Sequence, residues 1–289
     1  MSRTALVIMA AGMASRYGGN KQIDGMGPHG EILMEYSIMD AIRAGFTKVV
    51  FIIKPEMQER MGEICGKKYE NRIDVRYAFQ DFSTVPGGVP AGRVKPYGTV
   101  HAVLCARAQV EEPFAVINAD DYYGVESFAQ MHAFLEDPHG AAGMMGYRLK
   151  NTVSAHGTVT RGICRVEDGW LTGVREVKRI GIDGDGRILN EENGEELDPE
   201  SPVSMNFWGF GREIFGKLET RLERFVREME EGDVTSEYLL PVAVDEMVKE
   251  GELSVKVLPT GARWFGVTYQ EDRPKVVREL SKLHEMGMY

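Results

Sequence analysis

The segment ALVIMAAGMASRYGGNKQ, residues 5–22, decides the fold. Its first six residues are apolar and predict a buried strand. The strand leads into a loop of small residues that carries two cations, Arg16 and Lys21. Because such a loop lets backbone N–H groups approach an anion, it predicts a polyphosphate ligand. The spacing is neither that of a P-loop nor that of a dinucleotide-binding loop, so the phosphates would be bound in another way. The alternative is a surface loop whose cations are only solvated.

The composition is typical of a soluble globular protein and excludes several classes of partner. Of the 289 residues 43% are hydrophobic and 27% are charged, and the net charge is −10. So acidic a chain is not expected to bind nucleic acid or an anionic membrane, since both bind through a basic surface. No apolar run approaches the roughly 20 residues that a membrane-spanning helix needs.

The cysteines and the start of the chain predict a cytoplasmic protein. Cys65, Cys105 and Cys164 are far apart and lack metal-ligand spacing, so we expect reduced thiols in the interior. Residues 1–3 run directly into the first strand, without the charged and apolar regions of a signal peptide.

Strands and helices alternate through the first half of the chain. The predicted strands are Thr4–Ala10, Lys48–Ile53, Asp74–Phe79 and Phe114–Asn118, and the predicted helical segments between them are Ile32–Gly45, Glu56–Lys67 and Gly98–Val110. Such alternation is typical of βαβ units in a mostly parallel sheet, which binds ligands at the carboxyl ends of its strands. The opening loop, Gln80 and Asp120 would all emerge at that edge.

The second half has a different pattern, with strands joined by short turns. The predicted strands are Ala142–Leu149, Gly157–Val166, Trp170–Ile180, Val203–Phe210 and Leu253–Pro259. The predicted helices are Arg212–Glu231, Glu237–Gly251 and Glu271–Met286. The polar, acidic composition of residues 181–201 predicts a surface loop or flap. Because no repeat or flexible linker interrupts the chain, we expect one domain over residues 1–289.

Acidic residues follow the strand at Phe114–Asn118. Asp120 and Asp121 come directly after it, where carboxylates are well placed to hold Mg²⁺ against a bound triphosphate. For Asp121 the alternative is an N-cap of the next helix.

A third group of residues surrounds Gln80 and Gly98. The side-chain amide of Gln80 can form paired hydrogen bonds with a base edge, and a glycine at position 98 permits the close approach of a flat ring. His101 lies one turn into the following helix, where a structural role is expected. Residues 81–95 form a long insertion, which we interpret as either a lid over the base or a dimer contact.

Together these motifs resemble the sugar-phosphate nucleotidyltransferases, or NDP-sugar pyrophosphorylases. That family has G-x-G-x-R and a later lysine after its first strand, and here Gly12 to Arg16 and Lys21 follow the pattern, with Ala14 at the second glycine. The resemblance implies a Rossmann-like (GT-A-like), three-layer αβα fold with a mixed, mostly parallel central sheet. It also implies a nucleotide-binding half, about residues 1–140, and an acceptor-binding half, about 141–289.

The resemblance assigns roles to individual residues. The implied catalytic residues are Arg16, Lys21 and Asp120, and the implied metal ligands are Asp120 and Asp121. The nucleotide would be contacted by Ala10, Ala11, Gly12, Met13, Gln80, Gly98, Thr99 and Asn118. The acceptor would be contacted by Gly157, Glu176, Lys178, Asn206 and Trp208. For Lys178 the alternative is a solvated strand cation, and for the aromatic residues near Asn206 it is the core.

The activity that the resemblance implies is Mg²⁺-dependent transfer of a nucleotidyl group from a nucleoside triphosphate to a sugar 1-phosphate, with release of pyrophosphate. UTP, dTTP or CTP is favoured as donor. A phosphate nucleophile is already ionised at pH 7, which is consistent with the lack of a recognisable general base. We expect no nucleic-acid or membrane partner and leave the existence of a homo-oligomer open.

The family often has a second metal ligand where this chain has Gly266, so either Asp121 substitutes or Mg²⁺ is held by Asp120, phosphates and water. Two other functions stay open, and this departure supports the second of them. One alternative is a cytidylyltransferase that acts on phosphocholine, a phosphonate or another non-sugar phosphate, with an acceptor pocket of Tyr147, Asn206, Trp208 and Trp264 forming an aromatic cage. The other is a non-catalytic, nucleotide-binding regulatory protein.

Overall fold

The structure, a computed structural model, describes residues 3–14, 25–86, 88–267 and 269–289. The strands are β1 (Ala5–Met9), β2 (Lys48–Ile53), β3 (Asp74–Phe79), β4 (Phe114–Asn118), β5 (Asp121–Tyr122), β6 (Ala142–Arg148), β7 (Val159–Glu167), β8 (Trp170–Ile182), β9 (Ile188–Asn190), β10 (Glu195–Glu196), β11 (Pro202–Phe210), β12 (Val255–Pro259) and β13 (Phe265–Gly266). The α-helices are α1 (Leu33–Ala44), α2 (Gln58–Met61), α3 (Lys67–Tyr69), α4 (Thr99–Cys105), α5 (Val125–Glu136), α6 (Ile214–Glu228), α7 (Leu240–Lys249) and α8 (Arg273–Glu285).

The main sheet is mixed, in the order β10-β9-β8-β12-β6-β11-β4-β1-β2-β3, with β7 paired to β8 and β11. Strands β4, β1, β2 and β3 are mutually parallel, and β6 is parallel to β12. The other pairings are antiparallel, so the predicted mostly parallel sheet is right for the first half and wrong for the second. The reason is the length of the connections: Asp168 and Gly169, both with positive φ, join β7 to β8 as a tight hairpin, which forces antiparallel pairing.

Both faces of the parallel strands are covered by helices. In β1, Leu6 and Ile8 belong to a buried cluster with residues of α1 and α5, whereas Ala5 and Val7 belong to a second cluster with residues of α4, α6 and α7. Alternation of this kind is what a strand buried on both faces requires.

The carboxyl ends of the four parallel strands lie level with one another. Met9 at the end of β1 is in register with Ile52 of β2 and Asn118 of β4, and β2 and β3 end together. The chain after β1, Gln80 after β3 and Asp120 after β4 therefore emerge at one edge of the sheet. This confirms the predicted placement of Gln80 and Asp120, whereas residues 15–22 of the opening loop lie outside the described residues.

Several predicted element bounds need correction. Residues 181–201 are not only a loop, because β9 and β10 extend the sheet beside β8. Helix α7 begins at Leu240, three residues later than predicted, since Pro241 near its N-terminus sets the start. The helical stretch at 58–69 contains a π-turn at Gly62–Gly66 between α2 and α3.

The expectation for the cysteines is confirmed, since all three are buried and unpaired. Within the described ranges, no helix has both the length and the apolar character to cross a membrane.

The insertion at 81–95 is attached to the body of the protein through Arg93. Its buried guanidinium donates to the carbonyl oxygens of Lys95, Pro96 and Ser236 and lies 3.7 Å from the ring centroid of Tyr97. Val94 beside it is 87% exposed. Whether the insertion covers a base or contacts a second copy stays a prediction.

A buried carboxyl makes the stability of the fold depend on pH. Asp40 of α1 accepts a 2.7 Å hydrogen bond from the Tyr289 hydroxyl and lies 3.3 Å from Arg43. Burial outweighs both contacts and raises the pKa of Asp40 from 3.8 to about 7. Between pH 3.8 and about pH 7, Asp40 keeps its proton in the folded protein but has released it in the unfolded chain. The free energy of unfolding therefore falls as pH rises through this range.

We therefore expect Asp40→Asn to weaken the pH dependence. Asparagine keeps the acceptor for Tyr289 without the buried charge, so the fall in the free energy of unfolding from pH 5 to pH 8 should shrink by about 2–3 kcal/mol. Urea unfolding at the two pH values measures it, with the exposed Asp137→Asn as control. Equal slopes for the wild type and Asp40→Asn would show that Asp40 titrates normally.

Candidate functional site

A cavity of about 600 Å³ opens at the carboxyl end of β4. Its lining residues come from both halves of the chain: Thr99, Asn118, Asp120, Asp121, Thr160, Arg161, Gly162, Val174, Glu176, Ser204, Met205, Asn206, Leu239, Pro241, Val242, Asp245, Trp264, Gly266 and Val267. The cavity is therefore positioned where a sheet of this kind binds ligands.

Asp121 is a buried carboxylate of the site. It is 7% exposed, and its Oδ2 accepts hydrogen bonds from Asn118 Nδ2 at 2.8 Å and the Tyr123 hydroxyl at 3.1 Å. Burial, and then the charge of Asp120, raises the pKa of Asp121. The charge of Asp120 therefore disfavours ionisation of Asp121, and a divalent cation between the two carboxylates would relieve this repulsion.

Strand pairing explains the glycine at position 266. Strands β5 and β13 are antiparallel and place Gly266 directly opposite Asp121. A Cβ at position 266 would lie 2.6 Å from Asp121 Oδ1, so the Asp121 carboxylate occupies the space that a side chain at 266 would need. The alternative that Asp121 caps the next helix is wrong, because α5 begins at Val125 after Gly124.

The predicted nucleotide-binding wall is described in part. Ala10 is buried and its N–H donates to Ile52 O at 2.8 Å, and a 3-10 turn at Ala11–Ala14 follows. This turn carries Gly12 and the backbone of Met13. Arg16 and Lys21 lie outside the described residues, so their catalytic roles stay predictions.

Gln80 and Gly98 lie together beyond β3. Gln80 Nε2 approaches Gly98 O at 3.4 Å. Gly98 has φ 86°, and a Cβ there would lie 2.7 Å from Tyr238 O, so this position requires glycine for packing against residues 237–238 as well. Thr99 lines the cavity, and its Oγ1 accepts a 2.7 Å hydrogen bond from Leu240 N at the start of α7.

His101 has the structural role that the sequence predicts. It is fully buried, and its Nε2 lies 2.9 Å from Asp81 O. Burial lowers its pKa, which favours the neutral imidazole. A neutral, enclosed ring of this kind holds the insertion at 81–95 against α4.

The predicted acceptor residues are only partly brought together. Glu176 and Asn206 line the cavity, and Asn206 Nδ2 approaches Asn118 Oδ1 at 3.4 Å. Lys178, Gly157 and Trp208 are not among the lining residues. The Lys178 side chain is 66% exposed on β8, 4.0 Å from Glu176. A Cβ at Gly157 would meet the Tyr269 ring at 2.6 Å.

Trp208 lies in the core instead of the cavity wall. It is fully buried between helices and sheet, and its Nε1 approaches Asn206 Oδ1 at 3.4 Å. Its contribution to the site is to orient Asn206, whose backbone has a φ of 59°.

Arg161 is a site residue that the sequence reasoning missed. Its guanidinium donates to Thr152 O and Thr160 O, and Cζ lies 4.9 Å from the Trp264 ring. Burial lowers the pKa of Arg161 to about 10, which still leaves a charged group inside the cavity, and Asp121 opposes the shift. The sequence offered one signal, a charged residue inside the predicted strand Gly157–Val166, but the register of β7 against β8 shifts between Val159 and Arg161, so strand alternation does not fix the face on which Arg161 lies.

The described aromatic residues do not form a cage. Tyr147 is fully buried and its hydroxyl donates to Tyr123 O at 2.9 Å, while Trp208 lies in the core. Trp264 lines the cavity with one face under Arg161. The wall predicted for a quaternary ammonium therefore has one aromatic residue rather than three.

Comparisons with known proteins agree with this architecture. Residues 7–176, more than half of the chain, match the sequence model of the nucleotidyl transferase family. A search of curated protein sequences gave no match.

Two solved structures share the fold. One, from Bacillus anthracis, is described as a glucose-1-phosphate thymidylyltransferase in complex with sucrose. It is 12% identical in sequence, with a TM-score of 0.64, and the alignment covers 96% of this chain and 95% of that one. The other is the inositol-1-phosphate CTP transferase from T. maritima, 14% identical with a TM-score of 0.65, covering 99% of this chain and 98% of that one.

Proposed function

The chain belongs to the nucleotidyl transferase family, and from this premise we propose that it transfers a nucleotidyl group from a nucleoside triphosphate to a sugar 1-phosphate. One observation carries the proposal: a single cavity has the paired carboxylates Asp120 and Asp121 at the edge of the parallel strands and a partly buried cation, Arg161, from the other half of the chain. Such a site can align two polyanions that would otherwise repel each other.

A divalent cation fits the paired carboxylates. Members of this family generally use a divalent metal, and we propose Mg²⁺ held by Asp120 and Asp121. The geometry supports this, because Asp121 is buried, Asp120 precedes it on the same cavity wall, and the charge of Asp120 raises the pKa of Asp121, a repulsion that a cation would relieve. Since Asp121 takes up the space opposite Gly266, it supplies the second carboxylate. When bound, the cation would neutralise charge on the transferring and leaving phosphates.

The reaction is a displacement at phosphorus. An acceptor phosphate oxygen forms a bond to the α-phosphorus, and the bond from that phosphorus to the bridging oxygen breaks as pyrophosphate leaves. The acceptor oxygen is already ionised at pH 7, so the chain need not supply a general base. In this proposal Arg16 stabilises the transferring and leaving phosphates, and Lys21 contacts the nucleotide or acceptor phosphate.

The acceptor half of the proposal rests on three side chains. Arg161 would offer its remaining N–H groups to the acceptor phosphate, and Glu176 and Asn206 would bind acceptor hydroxyls. Their shared position on the cavity wall supports this. Polar groups of this kind suit a sugar or cyclitol phosphate better than a quaternary ammonium, which favours stacked aromatic faces. We keep UTP, dTTP and CTP as proposed donors.

We also infer that residues 1–289 form one domain with a layered, GT-A-like arrangement. Two observations support that inference. Strand β11 of the second half lies between β4 and β6 in one sheet, and helices cover both faces of β1.

Replacing Arg161 by lysine tests the acceptor assignment. Lysine keeps the charge but loses the planar fork, so we expect the KM for the sugar phosphate to rise about 10- to 100-fold, with a smaller change for the nucleotide. Initial rates over both substrate concentrations measure this. Arg165→Lys, on an exposed position of the same strand, is the matched control. An unchanged acceptor KM would remove Arg161 from the acceptor site.

A screen tests the activity itself. Each of the common nucleoside triphosphates is combined with a panel of sugar 1-phosphates, inositol 1-phosphate and phosphocholine, with and without Mg²⁺, and pyrophosphate is measured. We expect release only with a sugar-type phosphate and a divalent metal. Release with phosphocholine would favour the cytidylyltransferase alternative, and nucleotide binding without any release would favour the regulatory one.

A further inference from the structure

Three ligand-bearing side chains meet away from the cavity, where residues 25–31 contact α8. His29 and Glu31 come from this loop, and His284 comes from the last turn of the helix. One ring nitrogen of each histidine and a carboxylate oxygen of Glu31 all lie within 4.8 Å of one another. None of the three lines the cavity that contains Asp120. The cluster is therefore distinct from the described cavity and its paired carboxylates.

Glu31 faces these imidazoles as a buried carboxylate. It is 8% exposed, and its Oε2 accepts a 3.0 Å hydrogen bond from His29 N. A carboxylate beside two imidazoles is a strong ligand set for a cation, and here the three ligand atoms lie within 4.8 Å of one another.

The surrounding residues hold the three ligands in place. The loop is closed by hydrogen bonds from Met26 N to Glu31 O at 2.7 Å and from Gly30 N to Gly27 O at 3.1 Å. A Cβ at Gly27 would lie 2.1 Å from both Glu31 Oε2 and the Tyr36 hydroxyl, so glycine makes room for them. The Tyr36 hydroxyl in turn lies 2.9 Å from His284 Nε2. Tyr36 thus orients the histidine, as outer-shell partners of metal ligands do.

We propose that His29, Glu31 and His284 form a binding site for a transition-metal dication, Zn²⁺ above all, that fastens residues 25–31 to α8. Two imidazoles and one carboxylate are a common zinc ligand set, with water as the fourth ligand. Imidazole ligands favour zinc over Mg²⁺, which prefers oxygen. The site would fix the loop that directly follows the segment containing Arg16 and Lys21.

Binding requires only a small closure of the cluster. Ligand atoms about 2.0–2.1 Å from a tetrahedral zinc ion lie about 3.4 Å from one another. In this structure the ligand atoms of the three residues lie up to 4.8 Å from one another, so they would have to move somewhat closer together. His29 is exposed and can make this movement, whereas Glu31 is buried and held by the turn.

Zinc binding by the untagged full-length protein tests the proposal. Calorimetric titration with ZnCl₂ is done in excess Mg²⁺, so that oxygen sites are already filled. The variants are His29→Gln, His284→Gln, Asp120→Asn and, as an exposed histidine control, His139→Asn. Thermal unfolding of each variant without zinc reports whether it folds.

We expect one equivalent of zinc to bind to the wild type, Asp120→Asn and His139→Asn. His29→Gln and His284→Gln should bind at least about 100-fold more weakly, since each lacks a direct ligand. Co²⁺ in place of zinc should give the visible absorption of a tetrahedral site in the wild type and lose it in His29→Gln. No zinc binding, binding unchanged by both histidine variants, or binding lost only in Asp120→Asn would overturn the proposal.

Discussion

Asp120→Asn is expected to lower kcat at least about 100-fold while leaving the fold intact. Asp120 follows β4 on the cavity wall and is exposed, so the substitution does not disturb a buried core position. Loss of a preorganised charge contact of this kind costs about 2.7 kcal/mol or more in the transition state. Steady-state pyrophosphate release at saturating donor and acceptor measures the effect.

Two measurements show whether the loss at Asp120 comes from the metal site. The Mg²⁺ concentration needed for half-maximal rate should rise in Asp120→Asn, and the thermal unfolding temperature should stay near that of the wild type. Asp185→Asn, an exposed acid in the turn between β8 and β9, is the control and should retain full activity. Near-wild-type turnover by Asp120→Asn would refute the assignment of the metal site.

Arg16→Ala is expected to have an effect of similar size. Arg16 follows the first strand in the segment that resembles the family's G-x-G-x-R signature. Its guanidinium would contact the phosphates on which charge develops as pyrophosphate leaves, so kcat should fall at least about 100-fold. Rapid-quench measurement of a single turnover separates this chemical step from product release.

A control distinguishes a charge effect at Arg16 from a general loss of positive charge. Arg72→Ala removes an exposed arginine beyond α3 and should leave kcat unchanged. Arg16→Lys keeps the charge without the planar fork and should recover only part of the rate. If Arg16→Ala changes the KM for the nucleotide but not kcat, Arg16 binds the ground state and is not catalytic.

The sequence was sufficient for the features that depend on local pattern. Apolar runs and helical stripes predict β1 to β4 and the helices between them, and parallel pairing then requires the residues after β1, β3 and β4 to share one edge. Asp120 and Gln80 were placed at that edge for this reason. The structural role of His101 also followed from its position in a helix.

Other features depend on contacts between distant segments and could not be predicted in this way. Arg161 reaches the cavity because β7 pairs with β8 and β11, and a lone arginine within a predicted strand does not by itself indicate a binding site. Trp208 is in the core because β11 runs through the middle of the sheet. The reason for a glycine at position 266 lies in the pairing of β13 with β5, which places this residue opposite Asp121. The sequence does not show that pairing.

The most direct test of the central claim is identification of the products. The wild-type protein, the nucleotide and sugar phosphate selected by the screen, and Mg²⁺ are incubated together, and the phosphorus-containing products are followed by ³¹P NMR. We predict equimolar pyrophosphate and a nucleoside diphosphate-sugar, formed only when both substrates are present and nearly absent with Asp120→Asn. Nucleoside monophosphate and pyrophosphate formed without incorporation of the sugar phosphate, or no turnover of a bound nucleotide, would contradict the account.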